Sequence, residues 1–132
     1  MNFLYINDEN GSDNPASGDI AIMLADKDLL NLENDPEVDF VYIDVNDVTL
    51  QQTTYSNFSD YNIYIDSPFV GGQIQPETIL FDDNNEALKA TESSTIITSL
   101  TDTQISITFS LTRADGNILT GHYTGVYSNI SN

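Results

Sequence analysis

Gln104-Ile105-Ser106-Ile107-Thr108-Phe109-Ser110-Leu111-Thr112-Arg113-Ala114-Asp115-Gly116-Asn117-Ile118-Leu119-Thr120-Gly121-His122-Tyr123-Thr124-Gly125-Val126-Tyr127 decides how this chain folds. Apolar residues alternate with Ser and Thr from Ile105 to Leu111, the period of a half-buried β-strand. Arg113-Ala114-Asp115-Gly116-Asn117 suits a three-residue loop, with Ala114 and Asp115 right-handed and Gly116 left-handed in a bulge. Closing the pair at Arg113 and Asn117 sets Leu111 opposite Leu119, Phe109 opposite Gly121, Ile107 opposite Tyr123 and Ile105 opposite Gly125. A two-residue Asp-Gly loop would shift the register by one and split the apolar residues between faces, so a single buried face selects the first choice. Ile105, Ile107, Phe109 and Leu111 are then core, and Ser106, Thr108 and Ser110 face water. Glycine weakens a strand unless the space is needed. Here Phe109 and Ile105 are expected to lie over Gly121 and Gly125.

Outward from this hairpin, the rest of the chain reads as short strands and turns. Asn2–Ile6 is an apolar strand. Asp19–Ala25 is a second, with Ile20, Ile22 and Leu24 on one face. Asp26–Asn34 reads as a helical turn capped by Asp26 or an irregular edge, ended by Pro36. Val38–Val45 is a strong strand, with Val41, Ile43 and Val45 facing one way and Phe40, Tyr42 and Asp44 the other. Val48–Tyr55 and Tyr61–Ile65 follow, the second broken by Ser67-Pro68. Gly71-Gly72 marks a turn or bulge, Thr78–Phe81 a short strand, and Thr95–Leu100 pairs back onto Gln104–Leu111 through Thr101-Asp102-Thr103. The expectation is one all-β domain over residues 1–132: an antiparallel two-sheet β-sandwich of eight or nine short strands, with a small β-barrel as the alternative.

The pattern Ile105-x-Ile107-x-Phe109-x-Leu111, then Asp115-Gly116, then Leu119-x-Gly121-x-Tyr123-x-Gly125 resembles the C-terminal hairpin of small surface lipoproteins from Bacteroidetes-type bacteria. It covers roughly the last third of the chain. The resemblance implies a β-sandwich exposed on, or secreted from, a bacterial cell, with a lipid anchor in the full-length protein. The lipid-bearing cysteine and the leader of that family are absent from this sequence, and the family implies no general activity.

Charge is the second strong feature. There are 21 Asp and Glu against three Lys and Arg, a formal net charge of -18. Nucleic acid and anionic membranes need a positive patch, so neither is an expected partner. No apolar run approaches the ~20 residues of a membrane span. Residues 1–20 lack a basic region followed by an apolar core, so no signal peptide is expected. Acids are densest at Asp26, Asp28, Glu33, Asp35, Glu37, Asp39, Asp44 and Asp47. Such a face serves solubility, a cation or a basic partner.

Catalytic and metal patterns are thin. There is no cysteine and one histidine, His122, placed on the outer face opposite Thr108. No G-x-S-x-G elbow supplies a nucleophile, and the usual zinc ligand set is lacking. Asp44 and Asp66 are the carboxylate pair best suited to glycoside hydrolysis, since both close tyrosine-bearing strands. Calcium takes oxygen ligands, and the loop Asp8-Glu9-Asn10-Gly11-Ser12-Asp13 offers Asp8, Asn10 and Asp13, although it departs from the EF-hand spacing. Tyr42, Tyr55, Tyr61, Tyr64, Phe40 and Phe58 cluster within residues 40–64. Phe40, Tyr42, Tyr61 and Tyr64 are the candidate ligand-binding set, for a glycan or a protein.

The leading expectation is therefore a non-enzymatic bacterial surface or secreted domain for adhesion or ligand binding. An acidic cytosolic inhibitor or immunity protein masking a basic partner is the alternative, and a glycoside hydrolase the third.

Overall fold

The structure, a computed structural model, describes residues 2–8, 19–47 and 49–130. Among them there is no helix. In chain order the strands are β1 (Phe3–Asp8), β2 (Asp19–Ala25), β3 (Asp35–Asn46), β4 (Thr54–Ser56), β5 (Asp60–Val70) and β6 (Gln73–Ile74). Then come β7 (Thr78–Asp82), β8 (Ala90–Leu100), β9 (Gln104–Arg113), β10 (Ile118–Val126) and β11 (Ser128–Asn129). They form two sheets. Sheet A runs β11-β1-β2-β3-β5-β6, with β7 also paired to β5, and sheet B runs β10-β9-β8-β4.

The β9–β10 hairpin has the register that one buried face demands: Leu111 opposite Leu119, Phe109 opposite Gly121, Ile107 opposite Tyr123 and Ile105 opposite Gly125. Arg113 N donates to Asn117 O at 2.8 Å and Gly116 N to Arg113 O at 3.0 Å. Gly116 has φ +88°, the left-handed conformation that closes the bulged loop. One detail differs. The residue over Gly125 is Tyr123, not Ile105: a Cβ on Gly125 would stand 3.3 Å from the Tyr123 hydroxyl, which is held there by donating to Val126 O.

Outside the hairpin the structure departs from the expectation in five places. Pro36 does not end a segment before a strand; it lies inside β3, where the pairing with β5 is irregular between Asp35 and Phe40. A proline has no N–H to donate, so bulges accommodate it. Ser67-Pro68 does not break β5 either. Asp66 takes φ +50°, and the buried Ser67 hydroxyl donates to Ile65 O and accepts from Glu77 N, so the strand continues to Val70. Among the described residues of the expected strand 48–55, only Thr54 and Tyr55 are extended, in β4, and β4 pairs with β8 in sheet B. The Tyr55 hydroxyl accepts from Gln51 N at 2.9 Å and donates to Asp47 Oδ2 at 2.8 Å, drawing the segment into a crossing between sheets. Finally β11 pairs with β1 in parallel, an exception to the antiparallel rule of the rest. Residues 26–34 form a turn rather than a helix, and Asp26 Oδ1 accepts from Asp39 N instead of capping.

The core lies between the sheets. Sheet A contributes rows such as Leu4, Leu24, Val41, Ile63 and Phe81, consecutive neighbours across β1, β2, β3, β5 and β7. Sheet B answers with Ile97, Ile105, Ile107, Phe109, Leu111 and Tyr123. Each fully buried side chain of this kind stabilises by about 1.5–3 kcal/mol, which makes this interface the main source of stability. Thr95, fully buried, satisfies its hydroxyl by donating to Thr108 O at 2.8 Å. Arg113 ties the sheets together. Its guanidinium lies 5.5 Å from the Phe81 ring centroid, donates to Leu80 O at 2.7 Å and pairs with Asp115 at 2.9 Å.

Candidate ligand-binding face

Strand alternation gives sheet A a second, outward surface. Phe3, Ala25, Phe40, Tyr64 and Ile79 form one row across β1, β2, β3, β5 and β7. Tyr5, Met23, Tyr42, Asn62 and Asp82 form the next, and Asn7, Ala21, Asp44 and Asp60 the third. Phe3, Met23, Phe40, Tyr42, Tyr64 and Ile79 are all half-buried. Phe40 and Tyr64 stack, with ring centroids 6.3 Å apart and planes 21° apart. The Tyr42 hydroxyl lies 3.5 Å from Asp44 Oδ2, and Asp44 stands directly opposite Asp60. Like charges opposite one another on a sheet are unfavourable.

The structure thus brings together three of the four expected ligand-binding residues, Phe40, Tyr42 and Tyr64. Tyr61 does not join them. It is 3% exposed, packs edge-on against Phe58 in the core, and its hydroxyl accepts from Ala90 N at 2.7 Å, bridging the sheets. Period two separates it from Tyr64 on the same strand. Phe3, Met23 and Ile79 belong to the face and were not singled out from sequence. In β1 the run Phe3-Leu4-Tyr5-Ile6 is apolar throughout, so alternation carries no signal there.

Other candidates fall out differently. Asp44 and Asp66 do not converge. Asp44 pairs with Asp60, and Asp66 is farther along β5, roughly 20 Å away at ~3.3 Å per residue. Glycosidase carboxylates stand about 5–10 Å apart, so this pair does not serve hydrolysis. Of the calcium set, Asp8 ends β1 opposite Ile20, half-buried, while Asn10 and Asp13 lie outside the described residues. Among the described residues no three acidic or histidine side chains are grouped to hold a metal. His122 is exposed, opposite Thr108 on the outer face of sheet B.

Burial raises the phenol pKa of Tyr5, Tyr61 and Tyr64, and pushes that of Tyr55 up to about 12, with the Asp47 carboxylate the second cause at Tyr55. The folded state therefore favours the neutral phenols. That stabilisation is complete below the ordinary tyrosine value near 10 and is lost as pH rises from there towards 12. In an alkaline titration, phenolate absorbance of these four residues is expected to appear late and together with loss of near-ultraviolet circular dichroism. Ionisation of all tyrosines in the ordinary range, with the fold intact, contradicts the burial and hydrogen bonds described for Tyr55 and Tyr61.

No family model matches the chain, and comparisons with curated proteins and with solved structures find no match. No helix among the described residues is long and apolar enough to cross a membrane.

Proposed function

We propose that this is a non-enzymatic binding domain of a bacterial cell surface or secreted protein, lipid-anchored in its full-length form, and that it takes a glycan or protein ligand on the outer face of sheet A. The observation that carries this reading is the half-open aromatic row Phe3, Phe40 and Tyr64, bordered by Asp44, Asp60 and Asp82. The stacked Phe40 and Tyr64 rings on the sheet offer contact area at little entropic cost, and nearby acids accept hydroxyl or ammonium donors.

A glycan panel and a set of cell-surface proteins, read by calorimetry, test the proposal. Tyr64→Ala and Phe40→Ala are expected to weaken binding about tenfold each, the loss typical of a ring at the centre of a contact. Binding that is indifferent to both changes places the ligand elsewhere, and no binding to any panel member ends the proposal.

A second reading, an acidic inhibitor masking a basic partner, draws on the other end of sheet A. There Asp26 Oδ1 holds Asp39 N, and Asp39 Oδ1 in turn holds Asp66 N at 3.0 Å, so these carboxylates are fixed in place. That reading requires capture of a cationic protein with steep salt dependence, which the aromatic face does not.

A further inference from the structure

Strand β10 is the outer edge of sheet B, and no strand among the described residues pairs with its far side. Natural edges are protected by lysine, proline, bulges or short length. β10 has none of these. It runs nine residues, Ile118–Val126, in continuous register with β9, and contains no Asp, Glu, Lys, Arg or Pro. In a chain of net charge -18, residues 116–132 contain no Asp, Glu, Lys or Arg. An open cleft of about 460 Å³, lined by Asn2, His122, Tyr123 and Thr124, borders this strand.

The two most exposed large apolar residues among those described are also here: Ile118, 65% exposed, and Val126, 64% exposed. Both lie on the outer face, symmetrically placed about His122. The backbone has a matching symmetry. Arg113 N donates to Asn117 O, so along β10 the odd-numbered residues turn their N–H and C=O toward β9. Ile118, Thr120, His122 and Thr124 turn theirs outward, whereas the C=O of Val126, at the end of the strand, accepts from the Tyr123 hydroxyl.

We propose that β10 pairs antiparallel with β10 of a second copy of this chain, about a two-fold axis at His122, to form a continuous eight-stranded sheet. In this register Ile118 of each copy lies against Val126 of the other, Thr120 against Thr124, and His122 against His122. The outward N–H and C=O groups of Thr120, His122 and Thr124 then meet their counterparts. The same contact joins the two chains along a stretch without Asp, Glu, Lys or Arg. The surface is distinct from the aromatic face, so this inference stands or falls apart from the function proposed above.

Three measurements on the full chain test it. Sedimentation velocity is expected to show a dimer that grows with protein concentration, and grows further with sodium chloride, because salt screens the repulsion between the two acidic bodies. The chain has no cysteine, so single thiols report the register. His122→Cys is expected to form a disulfide-linked dimer on mild oxidation. Opposed Cα atoms of a hydrogen-bonded pair are about 5.5 Å apart, within disulfide reach. Thr120→Cys is expected to stay reduced, because its own copy stands roughly 13 Å away along the strand. Val126→Lys is expected to weaken the dimer about tenfold even though it lowers the net negative charge. A wild-type chain that stays monomeric throughout overturns the proposal. So does equal cross-linking at 120 and 122, or Val126→Lys associating as tightly as wild type, which general electrostatics alone would give.

Discussion

Phe109→Ala is expected to destabilise the fold by about 3–5 kcal/mol, in the range of buried phenylalanine truncations. Phe109 is 6% exposed and projects from β9 into the space between the sheets. Its ring reaches sideways across Gly121, near Val41, Ile63 and Leu119. The cost belongs at the upper end because the neighbour beneath the ring is a glycine, which has no side chain to move into the void. Urea unfolding followed by circular dichroism measures it. A loss under ~1 kcal/mol would mean that the ring is not a core residue, and the facing of the whole hairpin would have to be reversed.

Gly121→Ala is the complementary experiment. A Cβ at Gly121 would stand 2.3 Å from Phe109 Cζ, 2.6 Å from Cε1 and 3.1 Å from Cε2. The methyl group would meet the ring itself, so the ring must leave its position or the edge strand must shift. Overpacking of this kind costs about 1–3 kcal/mol. Alanine would otherwise be favoured over glycine in a strand by roughly 0.5–1 kcal/mol. The two effects separate in the double variant. With Phe109 already cut to alanine, Gly121→Ala is expected to be neutral or stabilising, giving a coupling of about 1–3 kcal/mol between the two positions. Strict additivity would show that the two residues do not touch.

These two residues also show why the hairpin could be read from sequence. Its strands alternate cleanly, its loop has one residue able to adopt a left-handed conformation, and only one register keeps a single apolar face. β2 is similar, with Ile20, Ile22 and Leu24 all fully buried. Gly71-Gly72, with φ +62° and +82°, makes the turn its composition announces. Segments whose course depends on distant partners were not readable. Nothing local shows that Tyr55 will clasp Asp47 and carry the chain into the other sheet. Ser67-Pro68 looks like a break because the contacts that keep it extended come from Glu77 and from β3. Pro36 looks like a boundary for the same reason. The aromatic face was half visible. Phe40, Tyr42 and Tyr64 could be named, but Tyr61 was grouped with them by composition, although Ile63 between it and Tyr64 already placed the two tyrosines on opposite sides.

The parallel pairing of β11 with β1 bears on the order of events in folding. It joins Tyr5 to Ser128 and Ile6 to Asn129, so it closes the longest loop in the described chain. The β8–β9–β10 meander closes loops of only a few residues. Loop-closure entropy makes local pairings the first to form and end-to-end pairings the last. Until β11 docks, the outer edge of β1 is a bare strand, with Leu4 and Ile6 already committed to an incomplete core. The β1–β11 pairing is therefore expected to be the last to form, after sheet B and the local pairings of sheet A.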